Sequence, residues 1–165
     1  AWCKQDAVII EKSHHRQLGY YDPKAKRWQL LDTCYGTHHL QFDADGVLWT
    51  SGDDFVIGGF DPRKFDPAKP ESEGAAQRHS EVRIDSDGDG KVDQSIVGFH
   101  YGVIPNPKDR SVWSAVPPGI SSAPGTPGWL LRYDPATDRH EAFSPPAPGT
   151  GPRGVDVDTQ GRVWT

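Results

Sequence analysis

This 165-residue chain contains no methionine, only two cysteines and no run of lysine and arginine. The missing methionine predicts a processed or truncated product, because a natural chain begins with that residue. The formal net charge of −5 argues against nucleic acid as a partner, since phosphate binding needs a cationic surface. No apolar stretch reaches the roughly 18 residues that a transmembrane helix needs, so we expect no membrane span.

The motifs of several common enzyme classes are also missing. The chain has no G-x-S-x-G nucleophile elbow, no P-loop, no G-x-G-x-x-G fingerprint and no zinc-type pattern of histidine and cysteine. Cys3 and Cys34 lie in no CxxC or CxxCH motif, which argues against thioredoxin-like and cytochrome chemistry. They form a disulfide if the protein is exported, or they are two unrelated buried thiols; the sequence leaves both readings open.

What the chain does contain is turn residues and aromatic side chains. It has 18 glycines, 15 prolines, six tryptophans, five tyrosines and six phenylalanines. The aromatic content is too high for a disordered segment, and the glycines and prolines favour many short strands joined by turns. We therefore expect an all-β protein.

One hairpin pattern occurs three times, in residues 37–50, 99–114 and 151–165. Each copy predicts a strand, a turn rich in Asp, Gly, Asn or Pro, and a second strand that ends on tryptophan; we call these copies the Trp hairpins. A repeated hairpin of this kind is typical of a β-propeller. The tryptophans are expected to pack between neighbouring sheets, because large aromatic side chains mostly serve burial.

A second hairpin type alternates with the first. Residues 18–31 and 129–143 each carry a Tyr-Asp-Pro turn, and a third copy begins at residues 59–62 with Phe-Asp-Pro. We call these the Asp-Pro hairpins. Two alternating hairpin types make one four-stranded blade, so residues 1–165 predict a partial β-propeller of about two blades plus partial blades. Propellers close with 4–8 blades, so we expect a piece of a longer protein or one chain of an assembly that completes the ring.

The spacing of the Trp hairpins predicts one insertion, at residues 63–98, which carries an Asp-rich loop. In this loop Asp85, Asp87 and Asp89 alternate, Gly90 permits a sharp turn, Lys91 offers its carbonyl group, and Asp93 falls at the ninth position. This is the front of an EF-hand-type loop, and it predicts a structural calcium ion. Ile96 stands at the twelfth position, where a bidentate Glu is expected, so another segment supplies that ligand or the site is weak. The alternative is a surface turn that binds no ion.

Alignment of the Trp hairpins predicts a second site. Equivalent positions where the first strand begins hold His38 and His100 in one column, and His39, Tyr101 and Arg153 in the next. Inner strands of successive blades begin near one mouth of a propeller channel, so these side chains are expected to surround that mouth. They suit a polar or anionic ligand, with His39 or His100 able to act as a base. The alternative is a set of strand-end side chains that only seal the channel.

Residues 152–165 and 39–50 resemble the repeat of streptogramin (virginiamycin B) lyase-like propellers and of their gluconolactonase-like and NHL-type relatives. The resemblance is greatest to secreted bacterial members with long insertions. It implies a secreted or periplasmic protein and a seven-bladed, metal-dependent enzyme that opens a cyclic ester by elimination. His39 or His100 would be the catalytic base, and a divalent metal such as Mg²⁺ would bind at the mouth, beside the ligand-binding residues that the alignment gives, His38, Tyr101 and Arg153.

The repeat departs from the lyase pattern directly after its tryptophans. The lyase repeat continues with Phe-Thr-Glu, whereas Trp49 is followed by Thr50 and Ser51, and Trp113 by Ser114 and Ala115. Two functions therefore stay open. One is a secreted lyase-like propeller that binds a small molecule or glycan and, if enzymatic, acts as a metal-dependent lyase or lactonase-like hydrolase. The other is a non-catalytic scaffold within a larger exported protein.

Overall fold

The computed structural model describes residues 16–33, 35–51, 56–96, 100–118, 128–149 and 151–165. This part of the chain is all-β, built from short antiparallel strands with one 3₁₀ turn (Pro62–Lys64) and one helical turn, α1 (Ser72–Ala76). No helix in these ranges has the length and apolar character needed to cross a bilayer.

Two four-stranded sheets form the centre of the fold. Sheet I consists of β3 (His39–Phe42), β4 (Leu48–Ser51), β5 (Val56–Phe60) and β6 (Gln77–Glu81), following β1 (Arg16–Asp22) and β2 (Arg27–Thr33) in the chain. Sheet II consists of β9 (Tyr101–Pro105), β10 (Val112–Val116), β11 (Trp129–Asp134) and β12 (Arg139–Phe143), after β7 (Arg83–Ile84) and β8 (Gln94–Ser95). The last strands are β13 (Asp156–Val157) and β14 (Val163–Trp164). In both sheets each strand pairs with the next one along the chain.

Both hairpin types lie where the sequence predicts them. The Trp hairpins form the pairs β3–β4, β9–β10 and β13–β14, and the Asp-Pro hairpins form β1–β2 and β11–β12. The two Asp-Pro turns share their chemistry: Asp22 accepts hydrogen bonds from the amides of Lys24 and Ala25, and Asp134 accepts one from Ala136. Each complete sheet is therefore a Trp hairpin followed by an Asp-Pro hairpin.

Residues 63–96, the described part of the insertion predicted at residues 63–98, divide into three parts. The chain leaves sheet I after Phe60, makes the 3₁₀ turn and α1, and returns as β6, the fourth strand of the sheet. The Asp-rich loop then follows in a separate two-stranded ribbon, β7–β8. The third Asp-Pro hairpin, which the sequence shows only at its start, is thus completed by β6.

The two sheets share one hydrophobic core. Its buried members come from sheet I, from sheet II and from the ribbon between them: Trp49, Ile57, Val82, Ile84, Ile96, Val103, Val112, Val116, Leu131 and Tyr133. A smaller cluster joins the β1–β2 hairpin to sheet I, with members Leu18, Leu31, Leu48, Phe60 and Ala76. The core position predicted for the tryptophans is confirmed for Trp49, which is 2% exposed, but not for Trp164, which is 60% exposed.

The first strands of the successive Trp hairpins are neighbours in space. Strand β3 packs beside β9, and β9 packs beside β13. Their first residues therefore come together at one end of the three strands, and the turns that follow the strands come together at the other end.

Candidate functional site

The end where β3 and β9 begin carries the side chains that the repeat alignment singles out. The His38 and His39 rings lie 4.5 Å apart between centroids, and both contact the ring of Tyr101, at 5.5 and 4.6 Å. The guanidinium carbon of Arg153, which precedes β13, lies 5.8 Å from the centre of the same tyrosine ring. Four of the five predicted residues thus form one group, which we call the mouth cluster.

The pairing of β3 with β4 fixes the histidines of the mouth cluster. His39 is opposite Ser51 in the ladder, and the amide of His38 donates a 2.7 Å hydrogen bond to the Ser51 carbonyl. Adjacent strand residues point to opposite faces, but here the strand begins, so both imidazoles reach the Tyr101 ring. Three consecutive Trp hairpins each contribute to the group.

His39 is the residue of the cluster whose electrostatics suit proton transfer. Its partial burial lowers the imidazole pKa, and the neighbouring His38 lowers it further. Its Nε2 atom is buried and has no hydrogen-bond partner among the described residues. A neutral imidazole can accept a proton or a hydrogen bond, and a ligand would reach this nitrogen by displacing part of what covers it.

His100, the fifth predicted residue, does not join the mouth cluster. Its side chain is fully buried, and burial together with nearby His140 lowers its pKa to about 4. Only its peptide carbonyl faces the strand end, where it accepts a hydrogen bond of 3.2 Å from the Ser51 hydroxyl. Because the His100 side chain does not reach the mouth, His39 is the candidate for the base there.

A bulge explains why His100 departs from its equivalent, His38. In the β9–β10 ladder Trp113 pairs with Ile104 but Ala115 pairs with Tyr101, so two residues of β9 face Ser114. Gly102 within the bulge has a φ of +75°, a backbone conformation that residues other than glycine rarely adopt. A Cβ atom there would lie 3.1 Å from the Val155 side chain, so the position also serves close packing against the third Trp hairpin.

The sequence did not point to a second polar cluster, which lies between the two sheets. Ser80 of β6 donates a 2.6 Å hydrogen bond to Asp138, and its hydroxyl lies 2.9 Å from Nε2 of His140. The Tyr133 hydroxyl donates to the same carboxylate at 3.0 Å, and its ring stacks on His140 with centroids 4.6 Å apart. No local pattern in the sequence signals this cluster, because Ser80 lies 58 residues from Asp138 and 60 residues from His140 in the chain.

This cluster contains Ser, His and Asp but not the arrangement of a nucleophilic triad. In a triad the carboxylate holds the imidazole through Nδ1, whereas here Asp138 bonds the serine and Nδ1 of His140 has no partner among the described residues. Burial lowers the His140 pKa to about 4, against a smaller raising effect of Asp138. We interpret the cluster as a polar link between sheets I and II.

The Asp-rich loop folds as a compact turn held by its own carboxylates. Asp85 accepts hydrogen bonds of 2.7 Å from the amides of Gly88 and Gly90, one on each oxygen. Both glycines have positive φ, of 81° and 88°. These backbone bonds, that from Gly90 above all, lower the pKa of Asp85, so this carboxyl stays ionised at neutral pH.

Three carboxylates of the loop come within range of a single cation. One oxygen each from Asp85, Asp87 and Asp89 lies within 4.8 Å of the other two. Asp93, the fourth predicted carboxylate, instead accepts two bonds of 2.9 Å from the amide and hydroxyl of Ser86. The Lys91 ammonium lies 2.9 Å from Asp89.

The twelfth position of the loop serves packing and not coordination. Ile96 is 4% exposed and belongs to the shared core, and its amide donates to the Val82 carbonyl. The donor set is therefore an all-oxygen group of three carboxylates, which fits a hard divalent cation and lacks the bidentate Glu of a full loop.

The remaining cysteine prediction, a Cys3–Cys34 disulfide or two thiols, lies outside the described residues. The chain matches no model of a known protein family, and no curated protein matches it.

Proposed function

We propose that this chain is an arc of a β-propeller that binds a small polar ligand, anionic in part, at the mouth cluster. The observation that carries the proposal is the convergence of His38, His39, Tyr101 and Arg153 from three successive Trp hairpins. Ring-like repetition brings equivalent strand ends to one axis, which is where propellers bind ligands.

Strand order supports the propeller arrangement. Both sheets run in chain order from an inner strand to an outer one, and the inner strands β3, β9 and β13 are neighbours. The Asp-Pro hairpins form the outer halves of the sheets. We therefore propose a propeller similar to the lyase-like, gluconolactonase-like and NHL-type families.

Each side chain of the mouth cluster offers a different interaction to a ligand. Arg153 supplies a fixed positive charge for a carboxylate or a polarised ester oxygen, and the Tyr101 ring supplies a flat apolar surface beside it. His39, kept neutral by its surroundings, accepts a proton or hydrogen bond from the ligand. If the site is catalytic, His39 removes a proton from the carbon next to the one that bears the ester oxygen of a lactone. A C=C bond forms as the C–O bond breaks, and Arg153 stabilises the carboxylate that leaves.

The mouth cluster does not suit the second metal ion that the resemblance implies. Its donors are two imidazoles, a phenol and a guanidinium, whereas Mg²⁺ prefers carboxylate oxygens and water. The Asp-rich loop is the better candidate for a hard cation, and we propose a structural calcium ion there, held by Asp85, Asp87 and Asp89. A weak calcium site is filled where calcium is abundant, which supports a secreted or periplasmic location.

Titration followed by histidine-selective NMR tests the ligand site. A panel of lactones, uronic acids and neutral sugars is expected to perturb the His38 and His39 signals, with the anionic members binding more tightly. Replacement of Arg153 by Gln should weaken the anionic ligands about 10-fold and leave the neutral ones unchanged, because it removes one charge-assisted contact. Arg139→Gln, at an exposed position on β12, is the matched control.

The same panel tests catalysis. The His39→Ala variant should lose turnover of any lactone that the protein opens while keeping the wild-type circular dichroism spectrum. A panel that perturbs neither histidine, at any ligand concentration below solubility, contradicts the mouth cluster as a binding site.

A further inference from the structure

The turns of sheets I and II meet at the end of the strands opposite the mouth cluster and enclose a groove of about 410 Å³. Its walls come from the β3–β4 turn, the 3₁₀ turn and β6, and from the β9–β10 and β11–β12 turns of sheet II. We call it the turn groove, and the wall residues that carry the argument are Asp45, Trp49, Arg63, Arg78, Asp109 and Arg110. A cavity of this volume falls within the range of pockets that hold small molecules.

Arg78 lies across sheet I on the ring of Trp49. Trp49, Gly59 and Arg78 stand opposite one another on the neighbouring strands β4, β5 and β6. Because Gly59 has no side chain, the Arg78 side chain passes over β5, and its guanidinium carbon lies 4.4 Å from the centre of the Trp49 ring. A Cβ atom at Gly59 would lie 3.1 Å from that ring and 3.3 Å from Cγ of Arg78, so the glycine keeps this path open.

The Trp49 ring is a fixed support for this guanidinium. The tryptophan is 2% exposed, its indole donates a 2.7 Å hydrogen bond to Asp43, and the Tyr133 ring packs against it with centroids 5.9 Å apart. The electron-rich face of an indole attracts a cation placed over it. Because the guanidinium is already held against a buried ring, it loses little freedom when it binds a ligand, and this favours affinity.

Arg78 differs from the other arginines of the turn groove in having no carboxylate partner. Arg63 donates hydrogen bonds of 2.8 and 3.0 Å to Asp61, and Arg110 forms an ion pair of 2.9 Å with Asp45. Among the residues that the structure describes, Arg78 forms no ion pair and its side chain donates no hydrogen bond; the Trp49 ring is its contact. Its N–H groups can therefore pair with a carboxylate from a ligand.

Arg110 occupies a backbone conformation that suits glycine better. It lies three residues before the tryptophan of its hairpin, and the other two Trp hairpins have Gly46 and Gly161 at that position, with φ of 79° and 85°. Arg110 has a φ of 63°, which costs free energy for a residue with a side chain. Its guanidinium reaches from sheet II to Asp45 of sheet I and lines the turn groove. Backbone strain of this kind is typical of functional positions.

The charges of the turn groove select the kind of ligand. Three arginines and four aspartates line it, so its formal net charge is −1. Asp43 and Asp134 accept hydrogen bonds from amides of their own turns, whereas the Asp45 and Asp109 side chains are 48% and 45% exposed. These carboxylates would repel a multiply charged anion. A molecule that carries a carboxylate and an ammonium group complements both Arg78 and the exposed acids.

We propose that the turn groove binds a zwitterionic small molecule of the α-amino acid class. The carboxylate of the ligand pairs with the N–H groups of Arg78, and Arg110 contributes a further contact from the side of sheet II. The ammonium group faces the carboxylates of Asp45 and Asp109. The side chain of the ligand lies against the apolar part of the wall: Val47, Pro135 and Ala136. This inference goes beyond the site at the mouth cluster and uses none of its residues.

Calorimetric titration of the 165-residue chain with the common amino acids tests the proposal. At least one amino acid is expected to bind with measurable heat. Its amide, which lacks the carboxylate, and its N-acetyl derivative, which lacks the ammonium group, should each bind about 10-fold more weakly or not at all, because each loses one charge-assisted contact. Inorganic phosphate should give no heat, since the acids of the groove repel it.

Two substitutions separate a binding role from a structural one. Arg78→Gln should raise the Kd of the amino acid about 10-fold, and Arg78→Lys should restore only part of the affinity because lysine lacks the planar fork of N–H groups. Arg110→Gly relieves the strained backbone, so it should weaken binding while keeping or raising the melting temperature. Arg83→Gln, at an exposed position on β7 outside the groove, is the matched control and should bind as the wild type does.

The Arg153→Gln variant distinguishes the turn groove from the mouth cluster. It should leave the affinity for the amino acid unchanged, and a loss of binding in this variant would place the ligand at the mouth and overturn the proposal. Absence of heat from every amino acid, an amide that binds as tightly as the free acid, or wild-type affinity in a folded Arg78→Gln variant overturns it as well. Circular dichroism verifies folding. The histidine signals that test the mouth cluster are read separately, so either site can fail alone.

Discussion

Among the glycines of the described residues, Gly58 of β5 is the one where an added Cβ atom would meet the closest contact. A Cβ atom there would overlap the ring of buried Tyr35 and press on the Thr50 hydroxyl. Both neighbours are fixed in the fold, since Tyr35 is 2% exposed and Thr50 is fully buried in the adjacent strand. The backbone of Gly58 thus serves close packing.

We expect Gly58→Ala to lower the free energy of unfolding by roughly 1–3 kcal/mol, the usual cost of overpacking a core. Urea denaturation followed by circular dichroism measures it. Gly154→Ala is the matched control, because a Cβ atom at Gly154 has no heavy atom within 4 Å and its φ is not positive. Equal stability of the two variants would contradict the packing argument.

Buried histidines make stability depend on pH. The His100 pKa is about 4 in the folded protein against an ordinary value of 6.5, so the unfolded chain takes up a proton at higher pH than the folded chain. His100 therefore contributes its full share of stability above pH 6.5 and loses it progressively as the pH falls to about 4. Each unit of difference corresponds to about 1.4 kcal/mol.

Replacing His100 with Leu should reduce the slope of the unfolding free energy against pH between 6.5 and 4, while His140, whose pKa is also lowered to about 4, keeps its own contribution. Denaturation curves recorded at several pH values give this slope for the variant and for the wild type. Leu40→Gln, at an exposed position that carries no titratable group, serves as the control and should keep the wild-type slope. A His100→Leu slope identical to that of the wild type would show that His100 is not the titrating group.

At the same scale, the sequence predicted most of the mouth cluster and could not predict the position of His100. His38, His39, Tyr101 and Arg153 were found by aligning repeats, and alignment works where the strand register is regular. The bulge at Gly102 adds one residue to β9, and no local pattern signals it except a glycine. The Ser80–Asp138 link was missed for another reason, because it depends on how two sheets stack.

Among the elements, the β7–β8 ribbon is the one whose stability should respond to metal. Calcium bound by Asp85, Asp87 and Asp89 would hold the loop closed and, through Ile84 and Ile96, tighten the shared core. A cation that binds only the folded state stabilises it by about 2.7 kcal/mol at a hundredfold excess over its Kd.

We expect calcium to raise the melting temperature by several degrees and a chelator to reverse the change. Asp87→Asn should abolish the calcium-dependent rise in melting temperature. Glu71→Gln, which removes an exposed acid outside the loop, should retain it. Calorimetric scans with calcium, with magnesium and with chelator make the comparison, and a melting temperature that chelator leaves unmoved would contradict the site.

Element prediction from the sequence succeeded for the hairpins and was incomplete at residues 63–98. The Trp and Asp-Pro hairpins carry turn residues whose hydrogen bonds are local, so each turn can be identified from the sequence. Strand β6 reads Gln-Arg-His-Ser-Glu, and only Ser80 is buried, so it lacks the alternation of apolar and polar residues that identifies a strand. Its place in sheet I depends on pairing with β5 across the intervening α1.

At the scale of the whole molecule, sheets I and II should unfold together. Their core is continuous, with Trp49 and Ile57 from one sheet packed among Leu131 and Tyr133 from the other. The β1–β2 hairpin instead joins sheet I through a smaller cluster of its own. Cooperative units follow shared burial, so the hairpin is the part that opens most easily.

Native-state hydrogen exchange should therefore show lower protection for the amides of β1 and β2 than for those of β4, β5, β10 and β11. Mass spectrometry of peptic fragments resolves these segments. Equal protection throughout would mean that the hairpin belongs to the same cooperative unit as the sheets.

The indole anchor of the Trp hairpin has a consequence for how such chains diversify. Asp43 and Asp158 hold their tryptophans directly, while in the middle copy the Trp113 indole donates to Ser111, which in turn donates to Asp109 at 2.5 Å. In the middle copy the indole is thus linked to the aspartate of its turn through a serine hydroxyl and not directly. Because this hydrogen bond lies within one hairpin, the hairpin can be duplicated or exchanged by recombination, and its indole will be oriented independently of the sheet that packs against it.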